Sequence, residues 1–246
     1  MGRKWNNIKM KKAAQDKARS ANYTKILREI TMAVRRTGSV DPDSNFGLKI
    51  ALVKAKENNV PRDNIERAIK KGSGEGGENY EEISYEGYGL DGVAIYVDAA
   101  TDNPTRTIGN IRSYFNRWGG AIGTQGCLQF VFERKAVFTV LDEANKLDLD
   151  GLTMDLIDAG AEDVEREDGI VTIKGAVESY GDIHKKLEEL KVKVEESGLE
   201  RLPLNTKEVS NQENYGKILR LIDALDEDDD VQKVYHNMDF NEAFDQ

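Results

Sequence analysis

The spacing of apolar residues changes at the glycine-rich run Gly72-Ser73-Gly74-Glu75-Gly76-Gly77, so one regular element cannot serve both sides of it. Before the run the period is helical. Tyr23, Leu27, Ile30 and Val34 fall at i, i+4, i+7 and i+11, one face of a helix that Gly38 ends. Asp41-Pro42-Asp43 reads as a turn. A second helix opens near Asn45 and carries Leu48, Leu52 and Ala55 inward. Pro61 suits the first turn of a third, with Ile65, Ala68 and Ile69 facing in and Gly72 as its stop. Three short helices with brief links make a small helical domain.

After the run the period becomes two. Residues 83–87 and 93–97 read as strands, and Asn103-Pro104 starts a helix that runs to Trp118. Ile108, Ile111, Phe115 and Trp118 form its apolar face, with Arg106, Asn110, Ser113 and Arg117 opposite. Residues 128–132 are expected as a further strand. Then comes a complete pattern: strand 137–141, helix 152–159, strand 162–166, the hairpin signal Glu167-Asp168-Gly169, strand 170–174, helix 180–190 and strand 192–196. This is the βαββαβ order of a ferredoxin-like unit. A strand at 199–204, a helix at 215–225 and a strand at 231–235 are half of another unit, which the segment 80–132 completes. The expected fold is α+β: an N-terminal three-helix domain, then two ferredoxin-like α/β domains, the third inserted into the second. The limits are 1–75, 79–134 plus 205–240, and 135–204.

Charge divides at the same place. Residues 1–72 hold 18 Lys and Arg against 7 Asp and Glu, whereas the remainder holds 17 against 38. A basic head on an acidic body presents cations to a polyanion, and the body repels that polyanion in wrong orientations. At 39% apolar and 33% charged the chain has the composition of a globular protein. No apolar run approaches a membrane span, so no membrane partner is expected. The start lacks the apolar middle of a secretory signal, and one cysteine suits a reducing compartment, so the cytoplasm is the expected location. Self-repulsion of the acidic body favours a monomer.

No catalytic signature stands out. Gly72, Gly74 and Gly77 match G-x-G-x-x-G, but a helix precedes and a strand follows, which inverts the dinucleotide-binding context and leaves a linker. His184, expected on an exposed helix face, and His236, at a strand end, have no cysteine nearby in sequence. Cys127 reads as a core thiol. The acidic run Asp226-Glu227-Asp228-Asp229-Asp230 lacks the glycine and spacing of an EF-hand loop and reads as a solvated turn. No catalytic residue, metal or cofactor is expected, and the protein reads as a non-enzyme. An enzyme with a site between the two α/β domains is the alternative of another class.

The basic head carries the binding expectation. Lys4, Lys9, Lys11, Lys12, Lys17, Arg19, Lys25, Arg28, Arg35 and Arg36 recur along an arm (residues 1–20, flexible or ordering on binding) and the first helix. Such cations give affinity and salt dependence rather than base specificity. Arg106 and Arg117 form a second patch, because residues 103–132 contain no acid. Internal pairing with the acids of neighbouring strands is the alternative for that patch. No duplex-reading motif is evident, which leaves phosphate and shape recognition on DNA or RNA.

The stretches Lys4-Trp5-Asn6-Asn7-Ile8-Lys9, KILREIT from Lys25, NNVPRDNIERAIKKG from Asn58, YEGYG from Tyr85, Thr101-Asp102-Asn103, Arg106-Thr107 and VYHNMD from Val234 resemble the YebC/PmpR family. Its eukaryotic members include the mitochondrial translational activator of cytochrome c oxidase. The resemblance implies three domains and no enzymatic activity. It implies one of two roles: a DNA-binding transcriptional regulator, or a translation factor that binds rRNA on the ribosome and relieves stalling at proline runs. By position it assigns residues 9–12, Lys25 and Arg28 to nucleic acid, and residues 85–89 and 101–106 to a central cleft. The chain departs from the family pattern at Met10-Lys11-Lys12 and at Leu90-Asp91.

Overall fold

A computed structural model describes residues 15–75, 80–142, 148–167, 169–241 and 244, with backbone alone at 15–22, 57 and 75. Three helices open it: α1 (Gln15–Thr37), α2 (Phe46–Glu57) and α3 (Arg62–Lys70). The apolar face read from the sequence is the face that packs. Ile30 and Val34 are fully buried, and Tyr23 and Leu27 pack against them with Leu48, Ala51, Ala55 and Ala68. Residues 15–20, expected in the arm, are the first turns of α1.

Asn45 joins these helices. Its side-chain oxygen accepts from the Leu48 N–H at 3.1 Å, capping α2, while its amide donates to Ala33 O at 3.0 Å and Ser39 O at 2.8 Å. The residue is 1% exposed, so water cannot replace these bonds.

The glycine-rich run is not a linker at its start. Lys71–Glu75 forms a π-helical turn against α1. A Cβ on Gly72 would sit 2.6 Å from Thr31 O and 2.7 Å from the Val34 Cβ. Close backbone approach therefore requires glycine there.

Beyond it lie two antiparallel four-stranded sheets. The first is built from β1 (Glu81–Tyr88), β2 (Ala94–Thr101), β3 (Ala121–Ile122) and β8 (Val231–His236), in the order β3-β1-β2-β8. Helix α4 (Pro104–Arg117) joins β2 to β3, and α7 (Gln212–Asp226) leads into β8. Side chains of β2 alternate between two cores. Ile95 and Val97 pack with Ile111, Phe115, Ile218 and Leu221, whereas Ala94 and Tyr96 pack with Leu128, Phe132 and Tyr235.

Two strand expectations fail here. Residues 128–131 are turn rather than strand, because Leu128 folds beneath the sheet as a cap; the short β3 takes the edge instead. The strand expected at 199–204 is the end of one continuous strand. Its place in the sheet is filled by β1, which pairs with β2 from Glu81↔Thr101 to Tyr88↔Ala94. The sheet thus keeps the ferredoxin-like spatial order with one strand supplied from the opposite end of the chain. Gly87 of β1 is obligatory, since a Cβ would meet Ala121 O at 2.6 Å and the Phe115 ring at 2.7 Å.

The second sheet is β4 (Phe132–Leu141), β5 (Ala161–Glu167), β6 (Ile170–Gly175) and β7 (Val194–Pro203), in the order β5-β6-β4-β7. With α5 (Leu149–Asp158) and α6 (Tyr180–Glu189) it completes βαββαβ in the expected order. Phe138, Ile173, Ile183 and Leu187 are fully buried in it. His184, expected on an exposed face, lies against Tyr180 with ring centroids 6.0 Å apart.

Two compact units result: Glu133–Leu202, and the described residues of Asn6–Phe132 with Pro203–Gln246. In the larger unit the Leu204 N–H donates to Val131 O at 2.9 Å, joining the ends between which the smaller unit is inserted.

Asn45→Ala removes a cap and the two amide bonds to Ala33 O and Ser39 O. A urea melt is expected to show a loss of roughly 2–3 kcal/mol, and a loss under about 0.5 kcal/mol would refute the tie.

Candidate nucleic-acid interface

The acidic run 226–230 joins α7 to β8, and it is only partly solvated: Glu227 and Asp229 are exposed, whereas two of its acids turn inward. Asp228 is 8% exposed and Asp230 4%. The Asp230 carboxylate accepts from Thr107 Oγ1 at 2.8 Å, Thr101 Oγ1 at 3.2 Å and Arg106 at 2.7 Å through one oxygen, and from Arg28 at 3.4 Å through the other. Asp228 accepts from the Tyr114 hydroxyl at 2.9 Å and Asn110 at 3.2 Å, and its other oxygen takes the Asp230 N–H. Helix α4 supplies most of these donors because residues 106, 107, 110 and 114 lie on one helical face. Burial works against the Asp230 charge, but the Arg106 and Thr107 hydrogen bonds and Arg28 outweigh it and hold the carboxyl below its ordinary range. Burial, then the Asp228 bond, pushes the Tyr114 phenol up to about 12.

This network fixes the place of several cations read as polyanion contacts. Arg28 donates to Ala100 O at 3.0 Å and also to Asp229 O, and its side chain is 10% exposed. Lys25 donates to Asp226 O at 2.6 Å and lies 3.4 Å from its carboxylate. Arg106 bridges Asp102 at 2.9 Å and Asp230, which is the internal pairing held open for it. Lys25, Arg28 and Arg106 are therefore turned toward the chain's own acids and carbonyls. Arg35 and Arg36 are exposed on the last turn of α1, with Arg36 paired to Glu82. Arg117 is exposed and within ion-pair reach of no acid among the described residues. Lys4, Lys9, Lys11 and Lys12 lie outside the described residues, and the side chains of Lys17 and Arg19 lie outside them too.

A groove opens between α1, α3 and Tyr80, with a volume near 450 Å³. Arg28, Arg67 and Lys71 line it, and none of its nine lining residues carries a carboxylate. The Arg28 guanidinium sits 4.9 Å and the Lys71 ammonium 4.7 Å from the centre of the Tyr80 ring, so the ring holds both cations by cation–π attraction. Asn64, Arg67 and Lys71 follow at i, i+3 and i+7. The sequence reading took only the apolar face of α3 and passed over this one, although the spacing was present.

Cys127 is half-buried in the turn after β3, not in a strand. Burial and then Glu86 push its thiol up, the reverse of what a nucleophile needs. Among the described residues no His, Cys, Asp and Glu group is arranged to hold a metal ion, and no helix is long and apolar enough to cross a membrane.

Comparison with known proteins fits this architecture. Residues 3–75 match the model of the TACO1/YebC protein N-terminal domain, and residues 80–238 match that of the TACO1/YebC second and third domain. The chain belongs to the TACO1/YebC family. Among its relatives in that family is a "Probable transcriptional regulatory protein" of Finegoldia magna, 44% identical over 237 residues, or 96% of this chain and 97% of that protein. One of the same name from Persephonella marina is 44% identical over 241 residues, 97% and 95% of the two chains. The crystal structure of a conserved hypothetical protein from Aquifex aeolicus superposes with a TM-score of 0.85 at 38% identity, covering 94% of each chain. The N-terminal family model contains both arm and groove helices; the second contains Tyr80 and the acidic turn.

Two groups set the pH response of this TACO1/YebC chain. Burial pushes His236 from its ordinary 6.5 down to about 4, with its Nδ1 unpartnered. The unfolded chain therefore takes up a proton that the folded one refuses, and stability falls as the pH drops through that window. The stabilisation from Asp230 is complete above the ordinary carboxylate range and is lost as the pH falls through its lower folded value. Asp230→Asn is expected to cost about 3 kcal/mol at neutral pH. In melts against pH the difference from the unaltered protein should shrink as the pH falls below the ordinary carboxylate range, with the His236 limb retained. A difference that persists there would show that the carboxylate charge is not what holds the turn.

Proposed function

We propose that the protein is a nucleic-acid-binding regulator of gene expression that grips phosphates through its helical domain and arm. The observation that carries this reading is the groove. In a chain of net charge −10, Arg67 and Lys71 line one concavity with no carboxylate among its lining residues, and the third cation there, Arg28, is held by Asp230. The excess of 18 cations over 7 acids in residues 1–72 supplies the surrounding field. The names of the relatives support regulation of transcription, and DNA as the target is our first reading. A ribosomal RNA target is the second, favoured by a concave binding surface in place of a helix set to enter a major groove. The three-domain division, a cytoplasmic location and a monomeric state belong to the same proposal.

Changing Lys9, Lys11 and Lys12 together to Ala should weaken binding to every sequence alike. The slope of log K against log salt should fall by roughly 2–3. Anisotropy titrations at several salt concentrations read both, and an unchanged slope would remove the arm from the interface. Sedimentation of lysate with DNase or RNase separates the targets. Ribosome co-migration that survives DNase means rRNA, and DNase-sensitive heavy material means DNA.

A further inference from the structure

We propose that the groove between α1 and α3 receives one unpaired nucleotide of a single-stranded or looped segment. Its phosphate would lie on Arg67 and Lys71, and its sugar and base over the apolar strip of Leu27 and Ala68. This rests on the nucleic-acid reading above and narrows it. At about 450 Å³ the groove is near the lower end of small-ligand sites. It is sized for one residue of a strand. A duplex keeps its bases stacked inside and its phosphates on a convex surface, so it enters such a concavity only by flipping a nucleotide out.

The wall chemistry fits the same ligand. Arg67 is exposed, and its bonds are local to α3, to Asp63 O at 3.2 Å and to Asn64. No part of the fold is held by its charge. Lys71 lies over the Tyr80 ring and 3.5 Å from its hydroxyl, so its ammonium is already placed before a ligand arrives. Glu66, the acid of α3 nearest in sequence, is drawn away to Arg62 at 2.9 Å. Leu27 and Ala68 give the groove an apolar strip, and the buried Thr31 hydroxyl beside it is already bonded to Leu27 O at 2.9 Å and Ala68 O at 3.2 Å. Cations beside an apolar strip suit a phosphate joined to a flat, weakly polar body.

The experiment compares single-stranded RNA, single-stranded DNA of the same sequence and the DNA duplex, by anisotropy with the full chain. The Arg67→Ala/Lys71→Ala variant should lose roughly tenfold on the single strands, with a salt slope lower by about 1.4. It should lose under twofold on the duplex. Lys185→Ala, exposed on α6 and outside the groove, should change neither. Equal losses on single strand and duplex, or no loss, would overturn the assignment. Binding of neither form by the unaltered protein would sink the nucleic-acid reading itself. Adenosine monophosphate at micromolar concentration should not displace the strand; displacement would give the groove to a free nucleotide instead. Photocrosslinking of 4-thiouridine RNA to the unaltered protein checks the result without a substitution. Crosslinks are expected on the peptides of residues 62–80, and crosslinks solely elsewhere would refute the site.

Discussion

Asp230 is a buried carboxylate surrounded by Arg28, Thr101, Arg106 and Thr107. Those four donors come from α1, β2 and α4, and Asp230 itself immediately precedes β8. One charged group therefore registers the helical domain on the first sheet. A carboxylate this deep is tolerable only when its charge is matched and its lone pairs are occupied, and both conditions hold. Removing either arginine would leave Asp230 with one cation in place of two and a buried acceptor oxygen without that donor.

The same network sorts the cations of α1. A helix rich in Lys and Arg looks from its sequence like one long polyanion-binding face. Lys25 and Arg28 instead turn toward residues 226–230, and Lys54 takes Glu29 at 2.9 Å. Among the described residues, the cations left exposed include Arg35 at the end of α1, Arg67 beside the groove and Arg117. The acidic body is thus not only a repulsive surface. Part of it is an internal counterion set that orients the basic head.

Local patterns in the sequence were strong enough to place most elements. The i, i+4, i+7 spacing of α1, the opening of α2 near Asn45, Pro104 at the first turn of α4 and the antiparallel pairing of the strands that end at Glu167 and begin at Ile170 all act within a few residues, and all are realised. The misplaced strands were apolar runs. Residues 128–132 and 199–204 carry the right residue types, but a cap beneath a sheet and the end of a longer strand demand the same hydrophobicity. Which one forms depends on what else covers the sheet. Of the candidate site, the basic bias was legible and the groove was not, since Arg67 and Lys71 lie one face away from the apolar stripe that draws the eye.

The sequence alone determined the class of fold, the break near residue 72 and the sign of charge on either side of it. These follow from hydrophobic period, turn chemistry and summed charge, which are local or additive. The tertiary structure alone decided which charges are solvated and which are bonded. Arg28 and Asp230 are 202 residues apart in sequence and 3.4 Å apart in space. An ion pair leaves no periodic trace, and an acidic run reads as solvated until the fold buries two of its members, Asp228 and Asp230, and each finds donors.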